Sequence, residues 1–139
     1  MSNFATLNPS AFVKLAHSLE AEVRTASANG TGVDTTGFDH LAAIISIGTT
    51  SASDTATFSL EESADDLSYA AISGASVAAT ASDDYVVGLA LRLHGIKKYV
   101  RAVYTETATG QSTACSVVLA LMGPQSPADQ NFTWSASVL

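Results

Sequence analysis

Only one cysteine, Cys115, occurs in the 139 residues, so no intrachain disulfide can form and the chain is not a small domain stapled by bridges. Cys115 sits in the apolar run TACSVVLALM. That is the setting of a small buried core residue, because a reactive thiolate needs exposure and a cationic neighbour. Long apolar runs are missing too: no stretch reaches the ~18 residues of a membrane-spanning helix, and no membrane partner is expected. The opening MSNFATLNPSAF lacks the basic start, apolar centre and small-residue cleavage site of a secretory signal, which leads us to expect folding in a cytoplasm.

Charge is scarce and one-sided. Charged residues make up 14% of the chain, and six Lys and Arg stand against 13 Asp and Glu for a formal net charge of −7. A protein that coats nucleic acid needs a positive field over its contact surface, so no nucleic-acid partner is expected. Signs of catalysis or cofactor binding are equally thin. No G-x-S-x-G elbow occurs, and the glycine-rich NGTGVDTTG lacks the lysine of a P-loop and reads as a loop. His40 with Asp34 and Asp39 does not match zinc or EF-hand spacing, and these residues read as a turn in which Asp34 or Asp39 bonds backbone amides. The pairs Asp65-Asp66 and Asp83-Asp84 stand where polar loops meet strands and read as turn formers rather than calcium ligands. We therefore expect no enzyme, no metal and no cofactor.

What the chain does have is period-two alternation from Leu41 to Met122, broken by short polar turns. LAAIISIGT, TATFSLEES, LSYAAIS, DYVVGLALRLH, KKYVRAVYTET and STACSVVLALM read as strands. In TATFSLEES, Ala56, Phe58 and Leu60 face a core while Thr57, Ser59 and Glu61 face water. In DYVVGLALRLHG, Tyr85, Val87, Leu89, Leu91 and Leu93 form the core side. With no α-crossover between strands, the expected fold is all-β: an antiparallel β-sandwich, jelly-roll-like, with an N-terminal arm and an extended C-terminal tail. The expected division is 1–31 arm or short helix plus edge strand, 32–124 sandwich, and 125–139 C-terminal extension.

The ends leave alternatives open. Asn8, Pro9 and the spacing of Phe12, Leu15, Ala16, Leu19 and Val23 suit a short helix over about residues 9–17. LEAEVRT alternates instead as a strand over about 18–26, with Leu19, Ala21 and Val23 on one side and Glu20, Glu22 and Arg24 on the other. The tail carries Phe132 and the single tryptophan, Trp134, groups that are costly to leave in water. They would pack on their own domain or on another subunit.

RLHGIKKYVRAVY, Arg92 to Tyr104, concentrates four of the six basic residues and no acid, within a remainder of two basic and 13 acidic residues. It reads as a hairpin with Lys97, Lys98 and His94 near its turn. Tyr99 and Arg101 could stack on single-stranded nucleic acid, but the acidic remainder opposes a polyanion. The favoured reading is a cationic strand pair meeting an acidic patch on a neighbouring protein or another copy. Intradomain pairing, with lysines guarding a strand edge, is the alternative.

The order of GVDTTGFDHLAAIISIGT, ATFSLEESADDLSYAAISG, GLALRLHGIKKYVRAVYTETATGQST and SVVLALMGP resembles the small head-decoration, or capsid cement, proteins of tailed bacteriophages. The resemblance covers roughly residues 32–124. It implies a small β-sandwich, often a homotrimer, that is made in the host cytoplasm and sits on the exterior of the capsid. There it would clamp subunits of the major capsid protein, with Tyr99 and Arg101 as structural or contact positions. The candidate contact residues are thus Lys97, Lys98, Tyr99, Arg101, Phe132 and Trp134. A glycan-binding sandwich module of a tail or cell surface is the alternative function.

Overall fold

A computed structural model describes residues 13–51, 56–78 and 84–124. Nine strands follow one another: β1 (Val13–Arg24), β2 (Ala28–Asn29), β3 (Val33–Asp34), β4 (Phe38–Thr50), β5 (Thr57–Ser63), β6 (Ala70–Ala78), β7 (Tyr85–Arg92), β8 (Tyr99–Thr105) and β9 (Thr113–Pro124). No helix occurs among the described residues. They form two antiparallel sheets, one ordered β1-β9-β4-β7, the other β2-β8-β5-β6 with β3 also on β8. Taking β2 and β3 as one interrupted strand gives eight strands in two four-stranded sheets, in the double Greek-key order of a jelly roll. The expected sandwich is the observed one.

Alternation explains the core. Leu41, Ala43, Ile45 and Ile47 of β4 meet Val117, Leu119 and Leu121 of β9 on the inward side, all at most 2% exposed. From the facing sheet come Phe58, Leu60, Val100, Ala102 and Tyr104. Phe58 and Tyr104 stack at 5.4 Å between centroids with a 55° tilt, a favourable aromatic geometry. The buried Tyr104 keeps its hydroxyl satisfied by donating to Glu106, 2.7 Å away. Cys115 lies buried among these side chains, as its run suggested.

Three local readings need correction. Residues 13–17, where helical spacing placed a helix, belong to β1; the rest of that span lies outside the described residues. Within β1 the simple alternation fails, since Val23 is exposed and Arg24 buried. Two irregularities in the β1–β9 pairing, around Ser18 and before Glu22, reset which side chains turn inward. Arg24 then folds back on its own strand, donating to the Glu20 carbonyl and pairing with Glu22 at 2.6 Å. Finally, the strand read as LSYAAIS does not stop at Ser73: β6 continues to Ala78 because Gly74, at φ +80°, absorbs the shift in its pairing with β5.

The bulge at Ser18 is where the two sheets are tied. β2 pairs with Tyr104 and Val103 of β8, and β3 with Val100 and Tyr99, so the β8 edge is left without a strand partner at Ala102. The buried Ser18 hydroxyl fills the gap, accepting from the Ala102 N–H at 2.7 Å and donating to the Thr31 carbonyl at 2.9 Å. Gly30 passes alongside, its N–H on the Ala102 carbonyl. A Cβ there would fall 2.5 to 2.7 Å from Ser18 and Ala102 oxygens, two of them backbone atoms. Ser18→Ala is therefore expected to cost about 1–3 kcal/mol in urea unfolding, the penalty for stranding buried polar groups. Gly30→Ala should cost more, and a neutral Ser18→Ala would show that water or a backbone shift replaces the hydroxyl.

Candidate interaction surfaces

The basic run is not the hairpin its sequence suggested: β7 is the edge of one sheet and β8 lies inside the other, so the chain crosses between the sheets through a turn at Leu93-His94-Gly95-Ile96, closed by the Ile96 N–H on the Leu93 carbonyl, with Gly95 at φ +85° in the position that favours glycine. From there β8 carries its cations against the acids of neighbouring segments. Glu61 of β5 lies directly opposite Arg101, and the Nε and Nη2 of Arg101 both donate to Glu61 Oε2, at 2.9 and 2.7 Å. The same guanidinium lies 3.9 Å from the Tyr69 ring centroid, and the Tyr69 hydroxyl donates to Asp66. Partial burial, and then the Asp66 carboxylate, push the Tyr69 phenol up to about 12.

Lys98 stands 3.7 Å from Asp34 and 5.1 Å from the Tyr99 ring centroid. The Tyr99 hydroxyl, and then Asp34, hold its ammonium above the usual lysine value. Burial works to raise the Asp34 carboxyl, but hydrogen bonds from Thr36 and the charge of Lys98 outweigh it, leaving a net lowering. The Lys97 N–H donates to Glu62 at 2.8 Å while its side chain remains exposed. Thus Arg101 is committed to contacts within the domain, and Lys97 and Lys98 present exposed side chains. Phe132 and Trp134 lie outside the described residues.

SADD is a tight polar turn. Asp65 Oδ1 accepts from the Ser68 and Leu67 amides and from the Ser63 hydroxyl, all within 3.0 Å. These bonds, the Ser68 amide first, hold its carboxyl down at about 2. Among the described residues no three His, Cys, Asp or Glu side chains gather in a way that could hold a metal.

The surface that sequence reasoning passed over is the outward face of the β1-β9-β4-β7 sheet. Registers align Ala42, Ile44 and Ser46 of β4 with Ala120, Val118 and Ser116 of β9, and with Ala90, Gly88 and Val86 of β7. Arg92 adds the one formal charge on the outward side of β7. Leu15, Val23, Ile44 and Val86, four of the five exposed large hydrophobics, all belong to this sheet. The signal was present: LAAIISIG, VVGLAL and SVVLALM are apolar at both parities, where a strand with one wet face would alternate with polar residues. The other sheet differs, with Thr57, Ser59, Glu61 and Arg101 on its outward face.

No protein-family model matches the chain, and no curated protein sequence matches it significantly. Solved structures do. The SPBc2 prophage-derived protein YomS superposes with a TM-score of 0.53 at 16% identity, over 80% of this chain and 95% of that one. The PBSX exported protein XepA gives 0.57 at 17%, over 86% of this chain and 39% of XepA. The infectious bursal disease virus VP2 subviral particle gives 0.53 at 11%, over 91% of this chain and 34% of VP2. At such identities the likeness is one of fold. In class, then, the molecule is a small jelly-roll sandwich similar to prophage-derived proteins and to part of a viral capsid protein.

The Asp65 turn yields a pH prediction. Because its folded value of about 2 lies below the ordinary 3.8, its contribution is complete above pH ~4 and disappears as pH falls through 2. The Asp65 carboxyl carbon should titrate by NMR with a midpoint near 2, and the stability gap between the chain and Asp65→Asn should narrow over that window. A midpoint near 4 would mean that the turn does not grip the carboxylate.

Proposed function

We propose that the chain is a non-enzymatic virion structural protein, a capsid cement or decoration protein that binds and stabilises an assembled major capsid shell from outside. The observation that carries this reading is the outward face of the four-stranded sheet, whose β4, β7 and β9 rows are rich in alanine and β-branched residues and carry little charge. Such a face suits contact with another protein surface, since exposed apolar patches rimmed by polar residues mark interaction sites. Jelly rolls recur in viral capsids, which makes the similarity to prophage and capsid structures relevant support.

Size sets how the contact would work. Four strands, each about 4.8 Å wide, and eight paired rungs of about 3.4 Å outline a plate of roughly 520 Å². That is below the ~800 Å² per partner of a standard stable interface. One contact is then weak, and occupancy comes from oligomerisation, with a homotrimer favoured, and from the repeating lattice of the shell. Lys97 and Lys98, exposed on the connection between β7 and β8, are the polar contact candidates.

Cosedimentation with assembled shells tests the proposal. Ile44→Glu with Val86→Glu should lower the bound fraction at least tenfold in affinity, about 1.4 kcal/mol, with the thermal melt unchanged. Lys97→Glu with Lys98→Glu should also weaken attachment. A folded, strictly monomeric protein in light scattering that binds no shell would sink the reading. Glycan-array binding abolished by Trp134→Ala would replace it with a recognition module.

A further inference from the structure

The edges of the two sheets are unlike. β1 carries Lys14, Glu20 and Glu22, β2 and β3 offer two residues each, and β6 is broken by Gly74 and a shift in its pairing with β5. β7 alone runs eight residues without a register shift, and from Tyr85 to Leu91 it has no charge or proline of the kind that guards a free edge. The Leu93 N–H donates to the Asp39 carbonyl at 2.8 Å, in line with the β4–β7 register, and this sets the phase of the ladder. Val87, Leu89 and Leu91 turn their backbone groups to β4, while Val86, Gly88, Ala90 and Arg92 turn theirs to the open side. The inward side chains Tyr85, Val87, Leu89 and Leu91 pack on the core yet remain half-buried, and Leu89 and Leu91 line a cleft of about 170 Å³ shared with Ile72 and Ala75 of β6.

We propose that β7 pairs antiparallel with β7 of a second copy of the chain about a two-fold axis at Gly88, joining the two four-stranded sheets into one of eight strands. The inference goes beyond the capsid reading and stands on this edge alone; being two-fold, the contact is separate from any that would close a homotrimer. In this register Gly88 faces Gly88 of the second copy, Val86 faces Ala90 and Ala90 faces Val86. The backbone groups that point to the open side of one copy then meet those of the other as hydrogen-bonded pairs. Val87 faces Leu89 and Tyr85 faces Leu91, so inward apolar side chains gain the cross-strand neighbours that the last strand of a sheet lacks. The ends select this register over one shifted by two residues. Arg92 faces Asp84, which ends the strand at φ +54°, and both are exposed with no ion pair among the described residues.

A second copy is the partner because the edge is its own complement. Apolar residues meet apolar ones along its length, and an acid at one end meets a base at the other, which is the arrangement that an isologous contact requires. The two Asp84 to Arg92 pairs, one at each end, oppose sliding along a strand whose middle would tolerate it. Pairing also doubles the outward apolar plate from roughly 520 to roughly 1,040 Å². That exceeds the ~800 Å² per partner of a standard interface, so a dimer could hold a shell where one copy would bind weakly. This consequence bears on the capsid reading, whereas the pairing itself does not need it.

The test uses the full chain with no shells present. Light scattering should give an even number of copies, and Gly88→Lys, which sets two like charges opposite each other on the axis, should halve that number with the circular dichroism unchanged. A Cβ at Gly88 meets only the Ala43 carbonyl within 4 Å, at 3.7 Å, so the fold has room for it. Oxidised Gly88→Cys should run as a dimer on a non-reducing gel, because the Cα atoms of such a pair lie about 5.5 Å apart, within disulfide reach. The native Cys115 is buried and does not compete. Val86→Cys by itself should stay unlinked, its two copies lying about 14 Å apart, and should link when mixed with Ala90→Cys. A monomer or an odd-numbered oligomer, an unchanged mass in Gly88→Lys, or equal linking at Gly88 and Val86 would overturn the proposal. Shell binding in cosedimentation is a separate readout, so the pairing can fail while the capsid reading stands.

Discussion

A single buried hydroxyl decides how the two sheets are joined at one side. The strand between β1 and β4 pairs with β8 only in two short pieces, because Thr31 turns to Ser18 between them, and the Ala102 amide would otherwise be stranded inside the domain. Ser18 supplies the missing acceptor only because β1 is bulged there, so that Ser18 and Leu19 are both buried in succession. A buried amide without a partner costs more than a bulge, and the irregularity in β1 follows from that comparison. The burial of Arg24 and the exposure of Val23 are its consequences further along the strand.

Electrostatics is organised on the other sheet and on the turn from β7 that leads into it. The basic run that stands out in the sequence is met in space by Asp34, Glu61 and Glu62, each from a segment distant in sequence from β8. Arg101 shows this best, held in the plane of the sheet by Glu61 and covered by Tyr69. The pair is partly exposed, with side chains 19% and 23% accessible, so its value is register and rigidity more than net stability. Arg24, Lys98 and Arg101 are thereby given local partners in a chain with a net charge of −7.

The two faces of the sandwich are consequently unlike. One presents paired charges and hydroxyls; the other presents alanine, valine and isoleucine. A monomer in water has no use for the second, whose apolar rows contribute nothing until something covers them. The asymmetry is what makes a structural role in an assembly the economical reading of a fold shared with prophage and capsid proteins.

Much of this was written in the strands themselves. Alternation in TATFSLEES and DYVVGLALRLHG assigns the correct inward residues, Cys115 is buried where its neighbours are apolar, and Gly95 marks the turn that it makes. Those are properties of a strand on its own, since side chains on successive residues point to opposite faces whatever the partner. Tertiary structure alone decided the rest: that Leu15 belongs to a strand rather than a helix, that Ser18 turns inward, that β6 runs through Gly74, and that Arg101 finds Glu61. Each depends on a backbone edge or a side chain brought close by chain reversal, or on a bulge that is stable only because such a group accepts it, and no local pattern encodes the partner.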